Sequence, residues 1–228
     1  MKLFIDNKEL NIPESELSLR YLGEGSESTV YRYKDEALKI HKDNFYQKRL
    51  TEEAAIKMSK ISTKRILLPR RVIYDENGEY IGYTTPYQRE YNKDLLRRIT
   101  MEKFIEELKL LREDTRIISN EGIMLEDVHQ NNLLVGDGLY LCDPGLYKFT
   151  DINYEDLYSN NIIELNYLFT VLLLETRVFD LTNKQADKLE DYFGATSRFF
   201  LEKLIEEQDI NPKQKVNPFM KKLALSMM

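Results

Sequence analysis

The stretch from Gly122 to Gly145, GIMLEDVHQNNLLVGDGLYLCDPG, limits more than any other what this chain can fold into. Two short apolar runs, LLV at 133–135 and LYLC at 139–142, flank Gly136-Asp137-Gly138. Short strand-like runs joined by a glycine-rich turn predict a β-hairpin. Such a hairpin sets Asn132 and Asp143 at neighbouring strand ends, with Asp127 on the loop that enters it. Hard divalent cations such as Mg²⁺ take oxygen ligands, typically one or two protein groups plus phosphate oxygens. Asn132 and Asp143 can supply two of them and leave Asp127 to orient a nucleophilic hydroxyl. Asp, Asn and Gly are also ordinary turn formers, so the weight of this reading depends on what surrounds it.

Before the hairpin, Phe104, Leu108, Leu111, Thr115 and Ile118 follow one another at intervals of 4 and 3, the buried stripe of a long helix. Asn120-Glu121-Gly122 is a stop signal and delivers the chain to Asp127. Beyond Gly145, IIELNYLFTVLLLE at 162–175 is apolar nearly all round, which predicts a central buried helix. Further amphipathic helices are expected at 182–193, 197–207 and 217–226, the last with Asn217 as N-cap and Pro218 at its first position.

The amino-terminal third is strand-like. Short pieces at 3–5 and 17–22 surround a break at Pro13, and GEGSESTVYRY at 23–33 places a Gly-x-Gly between two strand-like runs. Backbone amides in such a loop can approach phosphates, because glycine carries no Cβ. The loop does not open a helix, which argues against a dinucleotide-binding βαβ unit. EALKI at 36–40 follows as a strand bearing Lys39, a position that in an alternating strand commonly faces solvent. Residues 44–61 are expected to be helical, with Leu50, Ala54, Met58 and Ile61 on one face. RVIYDENGEYIGYTTPY at 71–87 is a second hairpin turning at Asn77-Gly78.

In this order the motifs resemble the protein-kinase-like superfamily over roughly residues 18–175. Asp127 and Asn132 match its catalytic-loop spacing, and Asp143-Pro144-Gly145 matches its Asp-Phe-Gly turn with Pro for Phe. Gly23-x-Gly25-x-x-Ser28-x-Val30 resembles the glycine-rich loop, with Ser in place of the third Gly. Ala37-Leu38-Lys39 resembles the strand whose lysine holds the α/β-phosphates.

The resemblance implies an α+β, two-lobed fold: an antiparallel-sheet lobe over 1–88 and a mostly helical, reduced lobe over 89–228. It implies that Lys39 pairs with a helix glutamate, Glu53 or its neighbour Glu52. It makes Thr85, Tyr87 and Gln88 the hinge that meets adenine, with Gln88 the better donor because Pro86 lacks an N–H. ATP and Mg²⁺ follow as cofactors. Asn132 and Asp143 are then metal ligands, Asp127 the group that receives or orients the hydroxyl proton, and His129 a contact for the γ-phosphate.

Departures from the pattern bear on the acceptor. Leu125-Glu126 replaces the usual His-Arg, and no Ala-Pro-Glu follows the metal turn. Glu126 stands where an arginine would receive an activation-loop phosphate, and a carboxylate cannot pair with phosphate. His129 resembles the Asp-x-His-x-x-Asn of aminoglycoside and choline kinases. The expected activity is transfer of the ATP γ-phosphoryl group to a hydroxyl, most plausibly on a protein Ser or Thr. A small alcohol is the second acceptor class, and a catalytically silent nucleotide-binding module the third reading.

Composition narrows the partners. A net charge of −6 over 228 residues disfavours nucleic acid, whose backbone needs clustered Lys and Arg. The single Cys excludes an internal disulfide and fits a reducing cytoplasm. The start MKLFIDNKEL lacks the apolar core of a signal peptide, and no apolar run is long enough to span a bilayer, so no membrane partner is expected.

Overall fold

The computed structural model describes residues 2–6, 8–13, 16, 20–42, 50–89, 96, 98–174, 182–184 and 211–226. The fold is mixed α+β, with a curled antiparallel sheet and helices packed beside it. Seven strands form the sheet: β1 (Lys2–Ile5), β2 (Lys8–Asn11), β3 (Tyr21–Glu24), β4 (Ser28–Tyr33), β5 (Glu36–His41), β6 (Arg71–Tyr74) and β7 (Tyr80–Pro86). Their order is β2-β1-β6-β7-β5-β4-β3, which makes β5, the strand of Lys39, internal between β4 and β7. The hairpin expected at 71–87 is β6–β7, turning through Gly78 at φ 81°.

Gly82 on β7 lies against the Lys39 carbonyl so closely that a Cβ there would approach the oxygen to 2.0 Å. Only glycine permits that approach of β7 to β5.

Helix α1 is Glu52–Met58, shorter than the helix expected over 44–61. Residues 43–49 of that span lie outside the described residues. Thr51 is the N-cap, its side chain accepting from the Ala54 N–H at 3.2 Å, so the helix cannot have run through it. Helix α2, Met101–Asn120, buries Phe104, Leu108, Leu111, Thr115 and Ile118 as their spacing predicts.

The hairpin over 133–141 forms as β9 (Leu133–Val135) and β10 (Leu139–Leu141), after a two-residue β8 (Ile123–Met124). β8 pairs with β11 (Lys148–Phe149), beyond the Asp-Pro-Gly turn. Helix α3 is Tyr154–Leu174 and starts eight residues before the expected 162. Asn153 caps it: its side-chain oxygen accepts from the Asp156 N–H at 3.1 Å. Leu165, Leu168, Phe169 and Leu172 are buried, but Tyr167 and Val171 are exposed, so the helix is not buried all round.

Helix α4, Val216–Ser226, begins before Asn217. Asn217 and Pro218 therefore lie inside its first turn instead of capping it, where a missing N–H costs no intrahelical bond. The helices expected at 182–193 and 197–207 lie outside the described residues save for 182–184.

One hydrophobic cluster joins Ala55, Met58 and Tyr83 to the faces of α2 and α3 and to the β9–β10 hairpin. A smaller one, with Leu3, Ile5, Leu38 and Ile73, backs the sheet. The principal core therefore runs across position 88, where the sequence suggests a boundary. No helix among the described residues is long and apolar enough to cross a membrane.

Candidate active site

Three polar ties set the position of the site. Asp114 of α2, nearly fully buried, accepts from the Lys64, Arg65 and Ile66 N–H groups. Glu107, two helical turns earlier, holds the Arg65 guanidinium, Lys103 at 2.7 Å and the Leu139 N–H at 3.0 Å. Burial alone would raise the Glu107 pKa, but Arg65, Lys103 and the Leu139 N–H together hold it below the ordinary value. The Leu141 N–H donates to the Arg65 carbonyl at 2.8 Å and the Leu67 N–H to the Leu141 carbonyl at 2.8 Å, which docks the β9–β10 hairpin beside the strand leading into β6.

The third tie is Asn161 of α3, fully buried. Its amide nitrogen donates to Ser119 Oγ at 2.9 Å and to the Ile123 carbonyl at 2.8 Å, and its oxygen accepts from the Leu125 N–H at 2.8 Å. It clamps the backbone just before Asp127. The signal for it was an asparagine entering a helix otherwise apolar on that side. Glu107 and Asp114 left a weaker trace, as acids within an apolar stripe.

Asp127 and Asp143 both adopt left-handed backbone, with φ of 60° and 64°. Aspartate tolerates that region better than most residues, and it is a common setting for functional groups. The Asn132 amide nitrogen donates to the Asp127 carbonyl at 2.9 Å, which leaves its Oδ1 as the atom able to ligate a cation. The Cys142 N–H donates to the Asn132 carbonyl at 2.8 Å, bringing Asp143 beside Asn132 as the hairpin requires. His129 accepts at Nδ1 from the Asn131 N–H at 3.2 Å and places Nε2 3.4 Å from Asp127 Oδ1.

Asn132 and Asp143 border a cavity of about 530 Å³, whose lining does not include Asp127 or His129. Gly23, Val30, Ala37 and Lys39 line it from the sheet, Thr85, Tyr87 and Gln88 from the end of β7, and Asn132 and Asp143 from the hairpin. The Tyr87 N–H is committed to the Asp35 carbonyl at 2.8 Å and Pro86 has none, so Gln88 is the backbone donor this wall retains. A Cβ added at Gly23 would meet no protein atom within 4 Å. Packing does not demand glycine there, and what its absence of side chain spares is space at the cavity wall.

Among the lining residues that escaped the sequence reading, Leu134 and Tyr83 are two that its own rules reach. Leu134 lies between the buried Leu133 and Val135 and so faces the other way, into the cavity. Tyr83 lines it two residues before Thr85, on the same face of β7. Strand alternation could have found both.

Three expected site residues are placed elsewhere. Glu53 does not meet Lys39: it is exposed on α1 and pairs with Lys57 at 2.8 Å, one helical turn on. Its rival Glu52 accepts from the Tyr74 hydroxyl at 2.6 Å. Lys39, only 8 % exposed, forms its ion pair with Asp143. Gly25 and Ser28 do not line the cavity, because the Gly25 N–H closes the β3–β4 turn on the Ser28 carbonyl at 2.9 Å and Ser28 is buried beneath it.

Asn132 and Asp143 are hard oxygen donors, and among the described residues no three His, Cys, Asp or Glu side chains form a protein-only cage. A cation held here would complete its shell with phosphate and water oxygens, as Mg²⁺ commonly does. Neither a protein-family model nor a curated protein matches this chain.

Proposed function

We propose that this chain is an ATP- and Mg²⁺-dependent phosphotransferase with the two-lobed arrangement of the protein-kinase-like superfamily, and that it moves the γ-phosphoryl group to a hydroxyl. One observation carries the reading. Most of the residues selected from sequence for nucleotide, phosphate and metal, from Gly23 to Asp143 but without Gly25 and Ser28, border a single cavity of about 530 Å³. That volume is within the range of small-molecule and cofactor sites. Val30 and Ala37 on one wall and Leu134 on another supply apolar contacts for a base, and Gln88 supplies the edge donor.

Lys39 would hold the α/β-phosphates, and Asn132 Oδ1 and the Asp143 carboxylate would hold Mg²⁺. The ion, when bound, neutralises charge developing on the β/γ oxygens. Asp127, with its carboxylate about half exposed, orients the incoming hydroxyl and takes its proton. His129 Nε2, at 3.4 Å, limits the directions that carboxylate can take.

The openness of Asp127 and His129 to solvent supports an acceptor hydroxyl carried on a protein surface, a Ser or Thr. One observation favours a small alcohol instead. Helix α3 begins at Tyr154, so only residues 146–153 separate it from the metal turn, a short platform for an extended peptide.

Millimolar MgATP should raise the melting temperature through mass action on the folded state. Incubation with γ-labelled ATP, alone and with cell extract, should then place label on protein or on small molecules and choose between the acceptors. A melting temperature unmoved by MgATP would sink the site assignment. A shift without turnover on any extract would select the silent module.

A further inference from the structure

Lys39 is the cation on which the proposed site depends, yet helix α1 offers it no carboxylate, since Glu53 is on Lys57 and Glu52 on Tyr74. Among the described residues its ion-pair partner is Asp143. Asp143 is also the charged member of the candidate metal pair. A dication held on that carboxylate would repel the neighbouring ammonium, and Lys39 would then part from Asp143. Another acceptor must then orient Lys39, or the ammonium swings freely over the phosphates.

The Tyr83 hydroxyl meets that need. Tyr83 is fully buried, lines the cavity, and its oxygen has no hydrogen-bond partner among the described residues. A buried hydroxyl left unpaired is costly, and native structures retain few of them. A Cβ built on Gly145 would lie 3.0 Å from Asp143 Oδ1, 3.3 Å from Lys39 Nζ and 3.7 Å from the Tyr83 oxygen. The three polar atoms thus face one small space, which the missing side chain of Gly145 keeps open. Burial first, and then Asp143, push the Tyr83 phenol well above its ordinary pKa, so it remains a neutral O–H. A neutral phenol accepts one hydrogen bond and donates another.

We propose that the Tyr83 hydroxyl is the positioning group for Lys39 in the loaded site, accepting from its ammonium in place of the helix carboxylate that α1 does not offer. This inference rests on the proposed nucleotide site.

Tyr83→Phe removes one oxygen and keeps the ring, so the unliganded melting temperature should hold or rise. Isothermal calorimetry with MgATP should show Kd raised about tenfold, the size of one hydrogen bond to a charged group. In a Lys39→Ala background the same substitution should change Kd no further, because the group it positions is gone. Unchanged affinity in Tyr83→Phe, or an equal loss in both backgrounds, overturns the role of Tyr83 while leaving the site assignment standing. Failure of the unsubstituted protein to bind MgATP overturns both.

Discussion

Asp127 and Asp143 carry the same side chain and similar left-handed backbone, yet their surroundings separate their roles. Asp143 faces the Lys39 ammonium inside the cavity, and Asp127, with its carboxylate about half exposed, faces His129. Asp143→Asn keeps the shape and removes the charge of the proposed metal ligand, so MgATP affinity should fall by about tenfold or more. Asp127→Asn should leave MgATP affinity within about twofold and lower turnover by about 10²–10⁴, the usual contribution of a general base. Calorimetry and single-turnover rates on both variants check this. Intact affinity in Asp143→Asn with lost affinity in Asp127→Asn would reverse the two roles.

Among the elements, β7 and the segment between the metal turn and α3 have the most specific requirements. Gly82→Ala would drive a methyl into the Lys39 carbonyl, backbone against backbone, where neither side can yield by changing a rotamer. A loss of about 1–3 kcal/mol in urea unfolding is expected, in the range of overpacked sites. The same change should also weaken MgATP binding, because the strand that moves carries Lys39. In the second segment, Lys148 pairs with Glu126 at 2.7 Å, and β11 pairs with β8. These contacts order the segment without a phosphate, and under the proposed function Glu126 would stand where a phosphate receiver is needed. Phosphatase-treated protein should therefore turn over as fast as untreated protein. Loss of activity on that treatment, with recovery after preincubation with ATP, would show that another basic residue receives a phosphate. Lys148→Ala should cost at most about 1 kcal/mol, because the pair is largely exposed.

Across the whole molecule, the sheet, the hairpin and α2 meet at Glu107, whose carboxylate is fully buried and held by Arg65, Lys103 and the Leu139 N–H. Its pKa in the folded protein is held low, so its contribution is present above the unfolded value of about 4.3 and is lost as pH falls through the folded value. Glu107→Gln should lower stability at neutral pH by about 1–3 kcal/mol, the cost of weakening the hydrogen bonds that a buried charged group makes to the part-exposed Arg65, to Lys103 and to the Leu139 N–H. The same variant should show a flatter loss of stability on acidification below about pH 4. Denaturant melts from pH 7 to pH 3 measure both. An acid limb as steep as that of the unsubstituted protein would assign the acid sensitivity to other carboxylates.

Local rules carried the sequence reading wherever the cause was local. Gly136-Asp137-Gly138 and Asn77-Gly78 closed their hairpins, and the stripe from Phe104 to Ile118 went into the core, because turn chemistry and residue period act between near neighbours. Alternation along those strands then put Val30, Ala37, Lys39 and Thr85 on one cavity. Thr51 ended the helix expected over 44–61 by a cap that local chemistry permits but does not compel. What the tertiary structure decided was which charge meets which. Glu53 found Lys57 four residues away, and Lys39 found Asp143 across 104 residues of chain. Nothing in the spacing of Lys39 and Glu53 could exclude their pairing, since the energy of an ion pair depends on distance and burial that only the packed fold supplies. Asn161, Glu107 and Tyr83 were obscure for the same reason. A polar side chain inside an apolar run announces itself in sequence, but its partner lies wherever the chain returns.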